Sequence, residues 1–301
     1  MTKRDKCKEP IILETANDII QTLAELGRDE KNVFRGYSKQ DELYPNLIRG
    51  EIPIAKEESS LLHQFEKYSG AYFHANTPIE FMSCGQHFGL PTRLLDFTHN
   101  PFIALSFALS YPKKDKDDEY YYIRYASLED NFCINTVPLK EEFYRLYFYT
   151  ESMASRATQC ISKVEDFFGN RTLDAKWRDF FDEVKISDAK VYKEKFKKKV
   201  ILFIDPNLSN QRIMMQQGLF MFPYTLDKEE HKDILKRNTT EIKIPASLRN
   251  QLRIELNALG FTIFRLMPDL SNVCSAIKNE AIERINNKKT DMKENDYKVG
   301  I

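Results

Sequence analysis

From Asn100 to Tyr111 the chain reads NPFIALSFALSY, and no other stretch limits its possible folds as strongly. Asn100 can cap a helix and Pro101 suits the first helical position, so a helix opens there. Its sides are apolar nearly all round, which requires other elements to enclose it. With 42% apolar and 30% charged residues, and only 10 Gly and 12 Pro in 301, the chain can build that enclosure and is neither disordered nor low-complexity. Lys plus Arg and Asp plus Glu total 45 each. A neutral chain does not coat nucleic acid through broad positive charge, although a local basic groove stays open.

The neighbouring segments supply candidate enclosing elements. Thr15 with Asp18 predicts a helix over 15–26, with Ile19, Ile20, Leu23 and Leu26 on one face and Gly27 as its stop. NVFRGYS places a strand at Val33 and Phe34 with Arg35 at its end. A helix is expected over 56–74, its apolar row being Leu61, Leu62, Phe65, Tyr68, Tyr72 and Phe73. Thr77, Pro78 and Glu80 form a capping signature for a further helix that Gly89 and Pro91 end. Strands follow at 120–126, 201–205, 218–222 and 240–244, the last with Ile242 and Ile244 inward. Ser247 opens a helix carrying Leu248, Leu252, Leu256 and Leu259 to Gly260. A last helix after Pro268 and Asp269 carries Leu270, Val273, Cys274, Ile277, Ala281 and Ile285.

These elements predict an α+β fold, a small mixed or antiparallel sheet flanked by helices. Residues 1–29 carry the N-terminal helix, 30–285 the main domain with a helical insert at about 138–198, and 286–301 a polar tail. The insert ends in the lysine-rich KEKFKKKV, beside Tyr192 and Phe196. It is a candidate surface for a protein or nucleic-acid partner, with a solvated helix face as the plainer reading. No stretch has the roughly 18 apolar residues of a membrane span, and the start lacks a secretory apolar stretch, so a cytoplasmic protein without membrane association is expected. The five cysteines are scattered without CxxC and the five histidines without HExxH, so neither a disulfide frame nor a metal site is expected.

Two polar clusters sit beside tight turns: Phe34-Arg35-Gly36, and Gln86, His87, Arg93, Asp96, Thr98, His99 and Asn100 within GQHFGLPTRLLDFTHNP. Structural roles account for some of them. Arg93 and Asp96 can pair, His87 can sit at a helix C-terminus, and Asn100 is a cap. Their convergence at one concave site would be functional, and Arg35 together with Arg93 would then imply an anionic ligand such as a nucleotide pyrophosphate.

The ordered set FRG at 34–36, LYPNLIRG at 43–50, QHFGLPTRLLDFTHNPFIALSFA at 86–108 and QQGLFMF at 216–222 resembles the FRG domain family, a chiefly bacterial and phage-borne set named for Phe-Arg-Gly. A weaker similarity connects Arg35 to the strand-end arginine of ADP-ribosyltransferases. It implies an NAD-binding enzyme acting as a toxin or antiphage effector, with Arg35, Gln86, His87, Arg93 and Thr98 around the ligand and Arg35, Asp96 and Gln217 as catalytic candidates. Where a transferase carries its glutamate, this chain has Gln216 and Gln217. Cleavage of the nicotinamide–ribose bond builds oxocarbenium charge that a carboxylate stabilises and an amide does not, which leaves Asp96 as the substitute. GxxxxGK[ST], GxGxxG and GxSxG are absent, and a nuclease or phosphotransfer site is a lesser reading of the same Arg/His/Asp set. The alternative class is a non-catalytic module that senses a ligand, a nucleic acid or a protein partner.

Overall fold

The computed structural model describes residues 9–49, 54, 57–72, 78–110, 112–113, 119–135, 201–206, 211–223, 226–267, 269–270, 273–279, 281–282 and 285. The expected insert at 138–198, the tail at 286–301 and the Thr77 cap lie outside these residues.

The fold is α+β, built on one mixed eight-stranded sheet. Its strands are β1 (Ile11–Ile12), β2 (Asn32–Tyr37), β3 (Leu95–Thr98), β4 (Tyr120–Ser127), β5 (Phe132–Asn135), β6 (Leu202–Asp205), β7 (Gly218–Met221) and β8 (Thr240–Pro245). The order is β1-β8-β4-β2-β3-β7-β6-β5. The edge pairs β1–β8 and β5–β6 are parallel and the internal pairs antiparallel. The sheet exceeds the expected set by β1, β3 and β5. In β3, Leu95 and Phe97 face one apolar cluster while Asp96 alternates outward, a period-2 signal too short to stand out within RLLDFT.

The helices are α1 (Ala16–Gly27), α2 (Glu58–Ser69), α3 (Pro78–His87), α4 (Pro101–Ala108), α5 (Gln211–Met215), α6 (Lys228–Asn238), α7 (Arg249–Ala258) and α8 (Ile263–Leu266). The expected caps of α1 and α4 form. Thr15 Oγ1 accepts from the Asp18 amide at 3.1 Å, and Asn100 Oδ1 accepts from the Phe102 amide at 2.9 Å. The all-round apolar α4 is buried as its sequence requires, among Ile19, Leu23, Phe34, Ile123, Ile242 and Leu252. Each such fully enclosed aliphatic side chain contributes about 1.5–3 kcal/mol. The second cluster, with Val33, Tyr37, Phe97, Phe203, Leu219 and Ile234, lies on the other face of the sheet, since Val33 and Phe34 are consecutive strand residues.

Several local expectations change. Gly27 is the last residue of α1 rather than a left-handed stop. A side chain there would meet Pro101 Cγ at 2.8 Å, so the glycine lets α1 approach the start of α4. Helix α2 is shorter than 56–74, and Tyr68 and Tyr72 are exposed. Leu259 and, in the last helical stretch, Leu270, Ile277 and Ile285 are also exposed, because helical spacing assigns residues to a common face but does not supply a partner for it.

Candidate functional site

Arg35 is the fourth residue of the six-residue β2, inside the strand rather than at its end. Strand β2 pairs with β4 along its whole length, Asn32↔Ser127 to Tyr37↔Tyr122, but with β3 only at Phe34↔Thr98. Beyond that pair β2 and β3 part, and the Arg35 guanidinium bridges the seam. Nη1 donates to the Asp96 carbonyl at 2.7 Å and Nη2 to the Glu42 carbonyl at 2.7 Å, while Nε is enclosed without a partner. Burial lowers the Arg35 pKa to about 10, with Asp96 opposing and Arg49 reinforcing the shift, so the group stays cationic at neutral pH. Gly36 follows for a steric reason: a Cβ there would lie 1.7 Å from the Ala104 carbonyl oxygen of α4. Phe34 is fully buried, so each member of Phe-Arg-Gly has a structural task.

Asp96 projects from β3, its register partner being Phe220. Gln86 Nε2 donates to Asp96 Oδ1 at 2.8 Å, and Gln86 Oε1 accepts from the Thr92 hydroxyl. Because a carboxylate only accepts, the NH₂ end of the amide must face Asp96, which leaves Oε1 to accept from the Thr92 hydroxyl. Thr98 Oγ1 donates to the Gln216 carbonyl at 2.7 Å and accepts from the Asn100 amide at 3.0 Å. Thr98 therefore ties β3 to both α4 and α5.

Two cavities adjoin over this part of the sheet. The larger, about 170 Å³, is lined by Arg35, Asp96, Thr98, Phe107, Arg212 and Gln216 among others, and the smaller, about 30 Å³, by Gln86, His87, Asp96, Arg212 and Gln216 among others. Asp96, Phe97, Arg212 and Gln216 are common to both, so they form one cleft between α3, α4 and α5.

Of the expected residues, Asp96 borders both cavities, Gln86 and His87 border only the smaller, and Arg35 and Thr98 border only the larger. Arg93 borders neither. It is buried away from both cavities, where Nε donates to the two Glu58 carboxylate oxygens at 2.8 and 3.0 Å and the guanidinium lies 5.2 Å from the Phe222 ring centre. Its carboxylate partner is Glu58 instead of Asp96. Gln217 lines neither cavity: it takes a left-handed conformation (φ 45°), its side chain is exposed, and its carbonyl accepts from the His99 amide at 3.0 Å. Gln216 reaches the cleft, but its amide donates to the Leu266 carbonyl at 2.9 Å. The cation that sequence reasoning missed is Arg212. Half-buried on α5, it borders both cavities, and no partner among the described residues holds its guanidinium. Its one signal was helical spacing, which places Arg212 and Gln216 on a common face.

This combination of Phe34, Arg35 and Gly36 on a seam strand, packed under α4, is reflected in a family match. The chain carries an FRG domain. The family's model matches residues 30–117, from β2 through α4. No curated protein and no solved structure matches the chain. The FRG match contains Arg35, Gln86, His87 and Asp96, whereas α5 with Arg212 comes from the chain beyond it. Among the described residues no group of three His, Cys, Asp or Glu side chains is placed to hold a metal, and no helix is long and apolar enough to cross a membrane.

Proposed function

We propose that the cleft of this FRG-domain protein binds NAD or a related nucleotide and cleaves the nicotinamide–ribose bond, in the manner of an ADP-ribosyltransferase or NAD hydrolase. One observation carries the reading: an oriented carboxylate, Asp96, and an arginine with no partner among the described residues, Arg212, border the same cleft. A free guanidinium suits a phosphate, which it can bind with two parallel hydrogen bonds. Asp96 beside the ribose stabilises the developing oxocarbenium charge, the role that Gln217 cannot fill because it borders neither cavity. Ligand pockets commonly measure about 300–1,000 Å³, so a cavity of about 170 Å³ suits one phosphate–ribose unit, with the remainder of a dinucleotide lying outside it. A toxin or antiphage role follows if NAD is consumed or a target modified.

The test is nicotinamide release from NAD, with and without acceptor proteins, by the full chain and by Arg212→Ala and Asp96→Asn. Arg212→Ala is expected to lower kcat/KM by about 10²-fold and Asp96→Asn to lower kcat by about 10²–10³-fold. Arg35→Ala is the less informative variant because it also unties the seam. A second reading, a non-catalytic sensor, is favoured by the Arg35 guanidinium already engaging two backbone carbonyls. Tight NAD binding without turnover would establish that reading.

A further inference from the structure

Asp96, the carboxylate assigned to the ribose, stands exposed on β3 and borders both cavities. Among the described residues its carboxylate has one partner, Gln86 Nε2 on Oδ1 at 2.8 Å, and Oδ2 has none. An exposed carboxylate turns about its side-chain torsions unless something holds it. Gln86 is itself a long side chain in the last turn of α3, so it holds Asp96 only if it is held too. Thr92 does this from the turn that leads from α3 to β3. It is 1% exposed and borders neither cavity. Its Oγ1 accepts from the Leu94 amide at 3.3 Å and donates to Gln86 Oε1. A hydroxyl has one proton, so that of Thr92 is committed to Gln86. The three hydrogen bonds therefore run one way, from the backbone at the head of β3 to the carboxylate in the cleft, and each polarises the next.

Resting on the NAD-cleaving reading above, we propose that Thr92 is a positioning residue for the reaction: through Gln86 it fixes the rotation of the Asp96 carboxylate, with Oδ1 tied back and Oδ2 presented to the developing ribose cation. Thr92 touches no substrate. It sets the fraction of molecules in which Asp96 is in place before NAD arrives, and a charge stabiliser is most effective when it does not have to reorient as the bond breaks. Serine at this position keeps the hydroxyl and therefore the chain of bonds. Valine keeps the shape but removes the donor, so the Gln86 amide loses the anchor at its carbonyl end and Asp96 recovers its rotation. Arg212, the phosphate-binding group, stands on α5 outside this chain of bonds, so the loss belongs to kcat and not to binding.

The experiment measures nicotinamide release by the full chain and by Thr92→Val, Thr92→Ser, Asp96→Asn and the double variant Thr92→Val/Asp96→Asn, with folding checked by circular dichroism. Thr92→Val is expected to lower kcat about 10-fold with KM and ADP-ribose affinity unchanged, and Thr92→Ser to stay within about 3-fold of wild type. In the Asp96→Asn background Thr92→Val should cost less than about 2-fold, because the group it positions is already gone. A wild-type kcat in folded Thr92→Val or in Asp96→Asn, an equal Thr92→Val loss in both backgrounds, or a loss that serine does not restore would overturn the assignment while leaving NAD cleavage standing. A folded wild type that releases no nicotinamide overturns both. Should Thr92→Val not fold, Gln86→Met breaks the same chain of bonds at its cleft end: an unchanged kcat overturns the assignment, and a fall of about 10-fold that is absent from the Asp96→Asn background supports it.

Discussion

The two sides of β2 are held by different interactions. Toward β4 a full ladder joins the strands for six register pairs, and β4 in turn meets β8 for six more. Arg124 on β4 stands opposite Arg35, but its charge is neutralised within the sheet: Nη2 donates to Glu241 Oε2 at 2.8 Å, and Tyr37 donates to the same oxygen at 2.6 Å. Toward β3 a single register pair forms, and a guanidinium on two carbonyls replaces the rest. The ladder leaves no room for a ligand, whereas the seam opens into a cleft. The difference teaches that polar groups of similar type have opposite meanings according to whether a partner satisfies them.

The strongest way to break this contrast is Gly36→Ala. The new Cβ meets the backbone of Ala104 at 1.7 and 2.6 Å, and no side chain can move aside, so α4 must leave the sheet. We expect a loss of more than about 4 kcal/mol, read as absence of a cooperative urea transition. Next is Arg93→Ala, which strands the buried Glu58 carboxylate and should cost about 3–5 kcal/mol in the urea midpoint. Restoration by a second change, Glu58→Leu, would confirm that the pair is structural.

The third effect concerns His231 on α6, fully buried with Nε2 donating to the Leu43 carbonyl at 3.0 Å. Burial lowers its pKa to about 4, with nearby Arg35 adding to the shift and the Leu43 hydrogen bond opposing it. The unfolded chain takes up the proton below about 6.5 while the folded one does not until about 4, so stability falls as pH drops through that window. The gap corresponds to roughly 3 kcal/mol at about 1.4 kcal/mol per pH unit. Urea midpoints between pH 7 and 4 should show the decline in wild type and a shallower one in His231→Gln.

Much of the ladder side was legible in the sequence. The Thr15 and Asn100 caps, the apolar α4 and the inward Ile242 and Ile244 all rest on local periodicity and capping. The seam was legible only in part. Gln86, His87, Asp96 and Thr98 were dense enough in sequence to be noticed together, but Arg93, two residues from β3, turns to Glu58, a partner 35 residues away that no local pattern indicates. Arg212 was missed because its distinction is the lack of a partner among its folded neighbours, a property of the fold rather than of the sequence.

Arg212→Ala gives the smallest change in stability and the largest in binding. Because the guanidinium has no partner among the described residues, the urea midpoint should move by less than about 0.5 kcal/mol. The most direct measurement of the central claim is therefore calorimetric titration of the full chain with ADP-ribose, a product-like anion, using wild type and this variant side by side. The account predicts binding by wild type, a loss of about 10- to 100-fold in affinity for Arg212→Ala, and weakening of the wild-type affinity by salt. Equal affinity in the two folded proteins, or no binding by wild type, would contradict it.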